Sequence, residues 1–396
     1  MLNALRVGDF RLLWAARAVS AFGTWLLVVA VPAHVFQLTG SVMAAGAALA
    51  AEFLPVVLLR PFAGVVVDRW DRRRLMIAAD VLRAAAVALL LLARDPGDLW
   101  LVYLALVVES TGTVVFRPAA QAHTPVVVGT GTALSGANAL NSVTDGVARL
   151  VGAPLGAALM ALVGFHVLVL ADVASYLVSA VLLALLSRHP STGGRRGVGR
   201  ELAEGFAFLR SDRTASVLLV VSTVFLAANA SLSALLVPFG LTAFGGTAAV
   251  GLVMSGLGVG FLLGAPAARF LVDRLRAGPL LAAALAVTAV GFVLLFSSTT
   301  LTWALPAAVV IGAAGSAALV VTQTALQRVT PGEVLGRVSA VLFTGEAAAT
   351  FVGALVGPAL AELTSARTTA YAACAVTVIA AVYATSTPSV HQPFAR

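Results

Sequence analysis

The sequence contains no lysine: all 25 basic residues are arginine. A GxxxxGK[ST] phosphate-binding loop needs a lysine to reach the β- and γ-phosphates, and a Schiff-base cofactor needs a lysine amine. Neither chemistry is open to this chain, and no nucleotide partner is expected. Cysteine is almost as scarce. Cys374 stands alone, so no internal disulfide and no cysteine metal site can be assembled. It lies in an apolar run and reads as a packing residue. The five histidines show no HxxxH spacing, and neither a metal nor a cofactor is expected. Charged residues are only 11% of 396, against 60% hydrophobic ones, where soluble domains carry roughly 25% charged residues. No soluble fold hides that much apolar surface. Aromatics are only 7% of the chain, and strands of alternating polarity are missing, which disfavours a transmembrane β-barrel.

Long apolar runs are what remains, and in a bilayer they must be helices. Cut at turn and charge punctuation, they predict an all-α membrane protein of twelve spans, near 12–38, 42–66, 75–93, 99–118, 136–162, 165–187, 214–238, 248–271, 278–297, 301–326, 335–361 and 367–386. The first run reads as a span rather than a cleavable leader. Arginines alternate sharply between loops. One side collects Arg6, Arg11, Arg69, Arg72, Arg73, Arg74, Arg117, Arg188, Arg195, Arg196, Arg200, Arg210, Arg213, Arg274, Arg276, Arg328, Arg337 and Arg396, the other only Arg94 and Arg367. Positive loops stay cytoplasmic, so both termini are expected in the cytoplasm of a bacterial-type inner membrane. The net charge of +8 is thus spent on topology, and no nucleic-acid partner is expected.

The longest connection, 188–213, separates an N-terminal six-helix half, 1–187, from a C-terminal half, 214–396. It opens on Ser191-Thr192-Gly193-Gly194, a flexible composition. It continues with Leu202, Phe206 and Leu209, spaced as one face of a short amphipathic helix at the cytoplasmic surface. The halves repeat each other. Asp68-Arg69 recurs as Asp273-Arg274 at an offset of 205, Gln121 and Pro125 as Gln327 and Pro331 at 206, and Val151-Gly152-Ala153 as Val352-Gly353-Ala354 at 201. Two six-helix repeats are the parallel arrangement described for major facilitator transporters.

Local motifs carry the same resemblance. Gly64-Val65-Val66-Val67-Asp68-Arg69-Trp70-Asp71-Arg72-Arg73-Arg74 resembles the loop between the second and third helices of the major facilitator superfamily. The resemblance makes Gly64, Asp68, Arg69, Arg72 and Arg73 a gating loop. Physically, Gly64 would allow close helix approach and the arginines could pair with acids. Asp68 could dock on the N-terminus of the eleventh span, near 332–336, when the cytoplasmic side is closed. Arg149-Leu150-Val151-Gly152-Ala153-Pro154-Leu155-Gly156 resembles the fifth-helix motif of antiporters, so that Gly152, Pro154 and Gly156 imply export. Phe116-Arg117-Pro118-Ala119-Ala120-Gln121, followed by Asn138-Ala139-Leu140-Asn141-Ser142, is similar to the enterobactin-exporter-like and macrolide-efflux-like branch. The family's arginine motif of the fourth helix is replaced here by Glu109-Ser110-Thr111-Gly112.

Charged groups at bilayer depth cost at least about 2.5 kcal/mol and usually face a cavity or a partner. Glu52, Glu109, Asp145, Arg149 and Glu346 are therefore the candidate cavity or proton-coupling residues. Asp145 and Arg149 stand one helical turn apart, the spacing of an ion pair, and read as a gate or a structural pair. At the 201-residue offset Glu346 is the counterpart of Asp145, but Thr350 follows it where Arg149 would stand. Glu346 is thus the carboxylate expected to exchange the coupling proton, with Glu52 and Glu109 as competitors. Asp172 is expected near the hydrated outer interface, and Arg60, Asp80 and Arg83 at the cytoplasmic ends of spans two and three, in local pairs. Gly256, Gly260, Gly264, Gly353 and Gly357 read as helix-packing positions.

The function expected is proton-coupled export of small molecules, drug-like compounds or siderophore-like metabolites, by alternating access, by a monomer in the lipid bilayer. An importer or uncoupled facilitator of the same fold, and a membrane sensor or assembly partner that does not transport, are the alternatives. No nucleophile–base pair emerges, so an enzyme is not expected.

Overall fold

A computed structural model describes residues 4–129, 132–187 and 206–385. Among the described residues, twelve helices are long and apolar enough to cross a membrane: α1 (Gly8–Thr39), α2 (Val42–Arg69), α3 (Arg72–Ala88, continued by a 3₁₀ turn over Leu89–Leu92), α4 (Leu99–Val128), α5 (Thr132–Val163), α6 (Phe165–Ala184), α7 (Arg213–Phe244), α8 (Thr247–Val272), α9 (Ala277–Ser297), α10 (Leu301–Val329), α11 (Gly332–Leu363) and α12 (Ala366–Thr385). No strand occurs among the described residues. Helix ends follow local chemistry. Asp71 caps α3 by accepting from the Arg74 N–H at 2.8 Å, and Asp212 caps α7 by accepting from the Ala215 N–H at 2.7 Å. Gly40 closes α1 at φ +67°, a left-handed conformation that glycine adopts without steric cost.

One expectation fails at α4. Pro118 was to end this span beside a loop containing Arg117, but the helix continues to Val128 through both Pro118 and Pro125. Pro118 and Pro125 leave the Val114 and Gln121 carbonyls without their helical N–H donors, a loss that neighbouring groups can make good in a membrane protein; next to them, Arg72 donates to the Ala122 carbonyl at 3.1 Å. Most of the expected linker, 188–205, lies outside the described residues. Its end, 206–211, is helical, with Leu209 buried at 2% and Phe206 exposed at 52%.

Contacts divide the described chain into two compact units: residues up to Gly40 with Ala51–187, and Ser41–Ala50 with 206–385. In the first, α1 packs on α5 and α6, and α3 on α4 and α6; in the second, α7 packs on α11 and α12, and α9 on α10 and α12. The second unit also holds the start of α2. Ser41 Oγ and the Met43 N–H both donate to Glu362 Oε1, at 2.7 and 3.0 Å, so the end of α11 caps the start of α2. Lipid offers no hydrophobic drive between helices, and close contact depends on small residues. A Cβ at Gly260 would lie 2.0 Å from the Val309 carbonyl oxygen, and one at Gly312 would lie 2.0 Å from that of Leu257, so α8 and α10 touch backbone to backbone. Cys374 is 4% exposed in a core with Phe239, Phe292 and Phe296.

Candidate functional site

Inside the first unit, a polar network crosses four helices. Asp80 and Arg83, one turn apart on α3, are 0% and 4% exposed and form an ion pair. Ser179 of α6 donates to the second Asp80 oxygen at 2.6 Å. The Arg83 guanidinium carbon lies 4.3 Å from the Phe116 ring centre and 4.4 Å from that of Tyr176. A planar guanidinium stacks on aromatic faces as a compact ammonium does not. Gly112 makes room for it, since a Cβ there would lie 2.7 Å from Arg83 Cγ. Arg83 also donates to Thr113 Oγ1 at 3.4 Å, and Thr113 in turn donates to Glu109 Oε1 at 2.8 Å. The Tyr176 hydroxyl donates to the same Glu109 oxygen at 2.8 Å and lies 2.8 Å from Thr24 Oγ1 of α1. Glu109 is thus buried and held by two hydroxyls, one of them backed by a guanidinium.

This network corrects two expectations. Asp80 and Arg83 do form a local pair, but they lie inside the bundle in contact with Glu109's partners. Asp172, expected to be hydrated, is 1% exposed. Its Oδ1 accepts from Ser175 Oγ at 3.0 Å, and a Cβ on Gly23 of α1 would lie 2.2 Å from both atoms. The signal in the sequence was a pair of charges at i, i+3 in an otherwise apolar span, with glycines on the helices opposite. Glu52 is half-buried on α2, where its backbone carbonyl accepts from Ser110 Oγ of α4. Glu109 and Arg117 are the charged groups that act on it most strongly.

Equivalent helix pairs hold the other carboxylates. The spacing of Asp145 and Arg149 suggested a pair with each other. Instead Asp145 pairs with Arg17 of α1 at 3.4 Å, and Arg149 lies over the Trp25 ring of α1 at 5.5 Å. Side chains one turn apart on α5 are both drawn to the neighbouring helix, which packs within reach. In the second unit, Ser222 of α7 donates to Glu346 of α11. Arg17 and Ser222 are 205 residues apart, and Asp145 and Glu346 are 201 apart, so the two contacts are repeats of one another. One carboxylate faces a cation and the other a hydroxyl. Gly152 and Gly156, flanking Pro154, permit the first packing: Cβ atoms there would lie 2.5 Å from Trp25 Cβ and 2.1 Å from the Leu26 carbonyl oxygen. Gly353 and Gly357 do the same against Ala227 and Ser231 of α7.

The loop after α2 works as a fastening. Arg73 donates to the Leu183 and Ala184 carbonyls at the end of α6, and Arg72 to Ala122 of α4. Cations at helix C-termini are favoured by the helix dipole, which suits Arg73 at the end of α6, while Arg72 ties the start of α3 to α4 six residues before that helix ends. Arg69 is exposed, and Gly64 allows no close approach, because a Cβ there would meet nothing within 4 Å. The side chain of Asp68 and those of residues 332, 333 and 336 lie outside the described set, so the proposed docking of Asp68 does too. Beside α7 and α11, Phe206, Leu219, Val220, Val224, Val341 and Gly345 line an apolar recess of about 700 Å³.

The chain matches the transmembrane secretion effector family over residues 1–392. It is similar to macrolide efflux protein A of Streptococcus pyogenes, with 30% identity over 245 residues, 60% of either chain. Macrolide efflux protein A of Enterococcus faecalis shares 30% over 202 residues, 49% of this chain and 62% of that one. The match therefore spans about 60% of the length of these relatives. Its fold is similar to a crystal structure of the nucleoside transporter NupG, with a TM-score of 0.80 at 12% identity over 96% of this chain and 99% of that one. It is also similar to a bacterial homologue of the lysosomal transporter Spinster, solved inward-facing and unoccupied, with a TM-score of 0.73 at 16% identity over 97% and 98%.

Proposed function

Because this chain belongs to the transmembrane secretion effector family of the major facilitator superfamily, we propose that it exports small, largely apolar molecules in exchange for protons, by alternating access. The proposal extends to the architecture: two six-helix halves, 1–187 and 214–396, joined by a cytoplasmic linker at 188–213, working as a monomer in the inner membrane with both termini cytoplasmic. Export rests on one observation, the 30% identity shared with macrolide efflux protein A. The apolar recess beside α7 and α11 suits such cargo, being within the about 300–1,000 Å³ of sites that hold drug-sized ligands.

Coupling follows from the carboxylates. Without a phosphate-binding lysine the energy must come from an ion gradient, and one charge crossing 100 mV releases about 2.3 kcal/mol. Glu346 is our candidate for the exchanging carboxylate. Glu346 accepts from the Ser222 hydroxyl, which can donate to a carboxyl in either protonation state, whereas Asp145 is engaged in an ion pair with Arg17. Asp145 with Arg17 and Arg149 then serves as a gate, and the half-buried Glu52 lines the route, with Glu109 buried in the network beside it.

Inverted membrane vesicles carrying the full chain test this reading. An imposed pH gradient, acid inside, should drive accumulation of a macrolide such as erythromycin. Glu346→Gln should abolish that accumulation and retain downhill exchange. Wild-type accumulation by this variant would remove Glu346 from the coupling role, and equal accumulation by vesicles lacking the protein would remove export.

A further inference from the structure

The buried network contains more acid than its one guanidinium can balance. Asp80, Glu109 and Asp172 are 0%, 8% and 1% exposed, and Arg83 is the one cation among them. Each buried charge without a partner costs several kcal/mol even after relaxation. The three carboxylates are not equally provided for. Asp80 has the ion pair with Arg83 and the Ser179 hydroxyl. Glu109 has the hydroxyls of Tyr176 and Thr113, the second of them bonded to Arg83. Among the described residues, Asp172 has only the hydroxyl of Ser175, three residues along its own helix.

We propose that Asp172 carries an exchangeable proton, and that the packing of α1 at Gly23 controls its access to water. The groups acting on it are Glu109 of α4 and Arg83 and Asp80 of α3, with Tyr176 on its own helix. The helices α1 and α5, also packed on α6, contribute no charged group to that set. Among the described residues no three acids or histidines are placed to hold a metal ion, so a proton is the cation this cluster fits. On release the Asp172 O–H bond breaks, its electron pair stays on the carboxylate and the proton passes to water; uptake reverses the step. Water must first reach the group. Gly23 lies directly over Asp172 and Ser175, so α1 and α6 must part there. The same helix α1 carries Arg17 and Trp25, which hold Asp145 and Arg149 of α5. A ligand that disturbs those contacts would therefore also disturb the cover over Asp172.

The inference rests on the antiport reading for the use of the proton, not for its presence. The presence is tested by infrared difference spectroscopy of the full chain in liposomes during a titration from acid to alkaline pH, with no ligand added. A protonated carboxyl C=O band should be present at neutral pH, lost in Asp172→Asn and retained in Glu346→Gln. Ser175→Ala, which alters no charge, should keep the band and shift its frequency, giving a readout even if Asp172→Asn does not fold. Hydrogen–deuterium exchange of this carboxyl should be faster in Gly23→Ala, whose added methyl cannot fit between α1 and α6. A band lost in Glu109→Gln but kept in Asp172→Asn, or one unmoved by Ser175→Ala, overturns the assignment. Exchange unchanged in a folded Gly23→Ala overturns control by α1. If the band behaves as expected but pH gradients drive no export by the wild type, the proton site stands and the antiport reading falls.

Discussion

At the scale of the residue, Arg83 is where stability and chemistry meet. Truncation to leucine would leave Asp80 buried without its cation, and breaking a buried pair in this way costs about 3–5 kcal/mol. Arg83→Leu should therefore lower the thermal unfolding midpoint in detergent strongly. Arg83→Lys should recover only part of the loss, because an ammonium cannot stack between Phe116 and Tyr176 while also reaching Asp80 and Thr113. Equal stability of the lysine variant and the wild type would contradict the role given to stacking. Tyr176→Phe keeps the ring and removes one of two donors to Glu109, a loss of about 1–3 kcal/mol for a buried acceptor. Its unfolding midpoint should fall less than that of Arg83→Leu. These partners were only half legible in the sequence. The intramembrane acids announce themselves as charges in apolar runs, and the i, i+3 pair of Asp80 and Arg83 is visible by spacing. That Asp145 turns to Arg17, 128 residues away, is decided by how closely α1 and α5 pack.

At the scale of the element, glycine decides which helices meet. The contact of α8 with α10 depends on carbonyl oxygens lying about where side chains would begin, at Gly260, Gly264 and Gly312. Gly260→Leu should separate these helices and destabilise the second unit by about 1–3 kcal/mol, the usual cost of overpacking, seen as a lower unfolding midpoint. An unchanged midpoint would mean that the backbones are not in contact. The cap on α2 gives a milder test. Glu362→Ala removes the acceptor of the Met43 N–H and Ser41 hydroxyl, so hydrogen exchange across Ser41–Ala50 should accelerate, by analogy with caps worth about 0.5–2 kcal/mol. Spans of this kind were read directly, since each apolar run was long enough to need a bilayer. The end of α4 differs from the sequence reading because proline stops helices more reliably in water than in a membrane, where neighbouring groups can re-satisfy the freed backbone.

At the scale of the whole molecule, the arginine asymmetry is the main statement about topology, and reporter fusions test it. Fusions after Arg196 and at the C-terminus should both report cytoplasm; a periplasmic signal from either would overturn the assignment of sides. The repeat was legible at this scale from three short matches. What it meant was not, because the residues that meet the two carboxylates differ at the repeated position: Arg17 pairs with Asp145, and Ser222 donates to Glu346. A final consequence concerns the bench. Cys374 is the sole thiol and is 4% exposed in a core it shares with three phenylalanines, so the unmodified chain should be silent to aqueous maleimides. A cysteine placed at Asn138, at Thr344 or on α2 would report its own surroundings against no background. The usual first step of labelling work, stripping out native thiols and proving the stripped protein still functions, can be omitted.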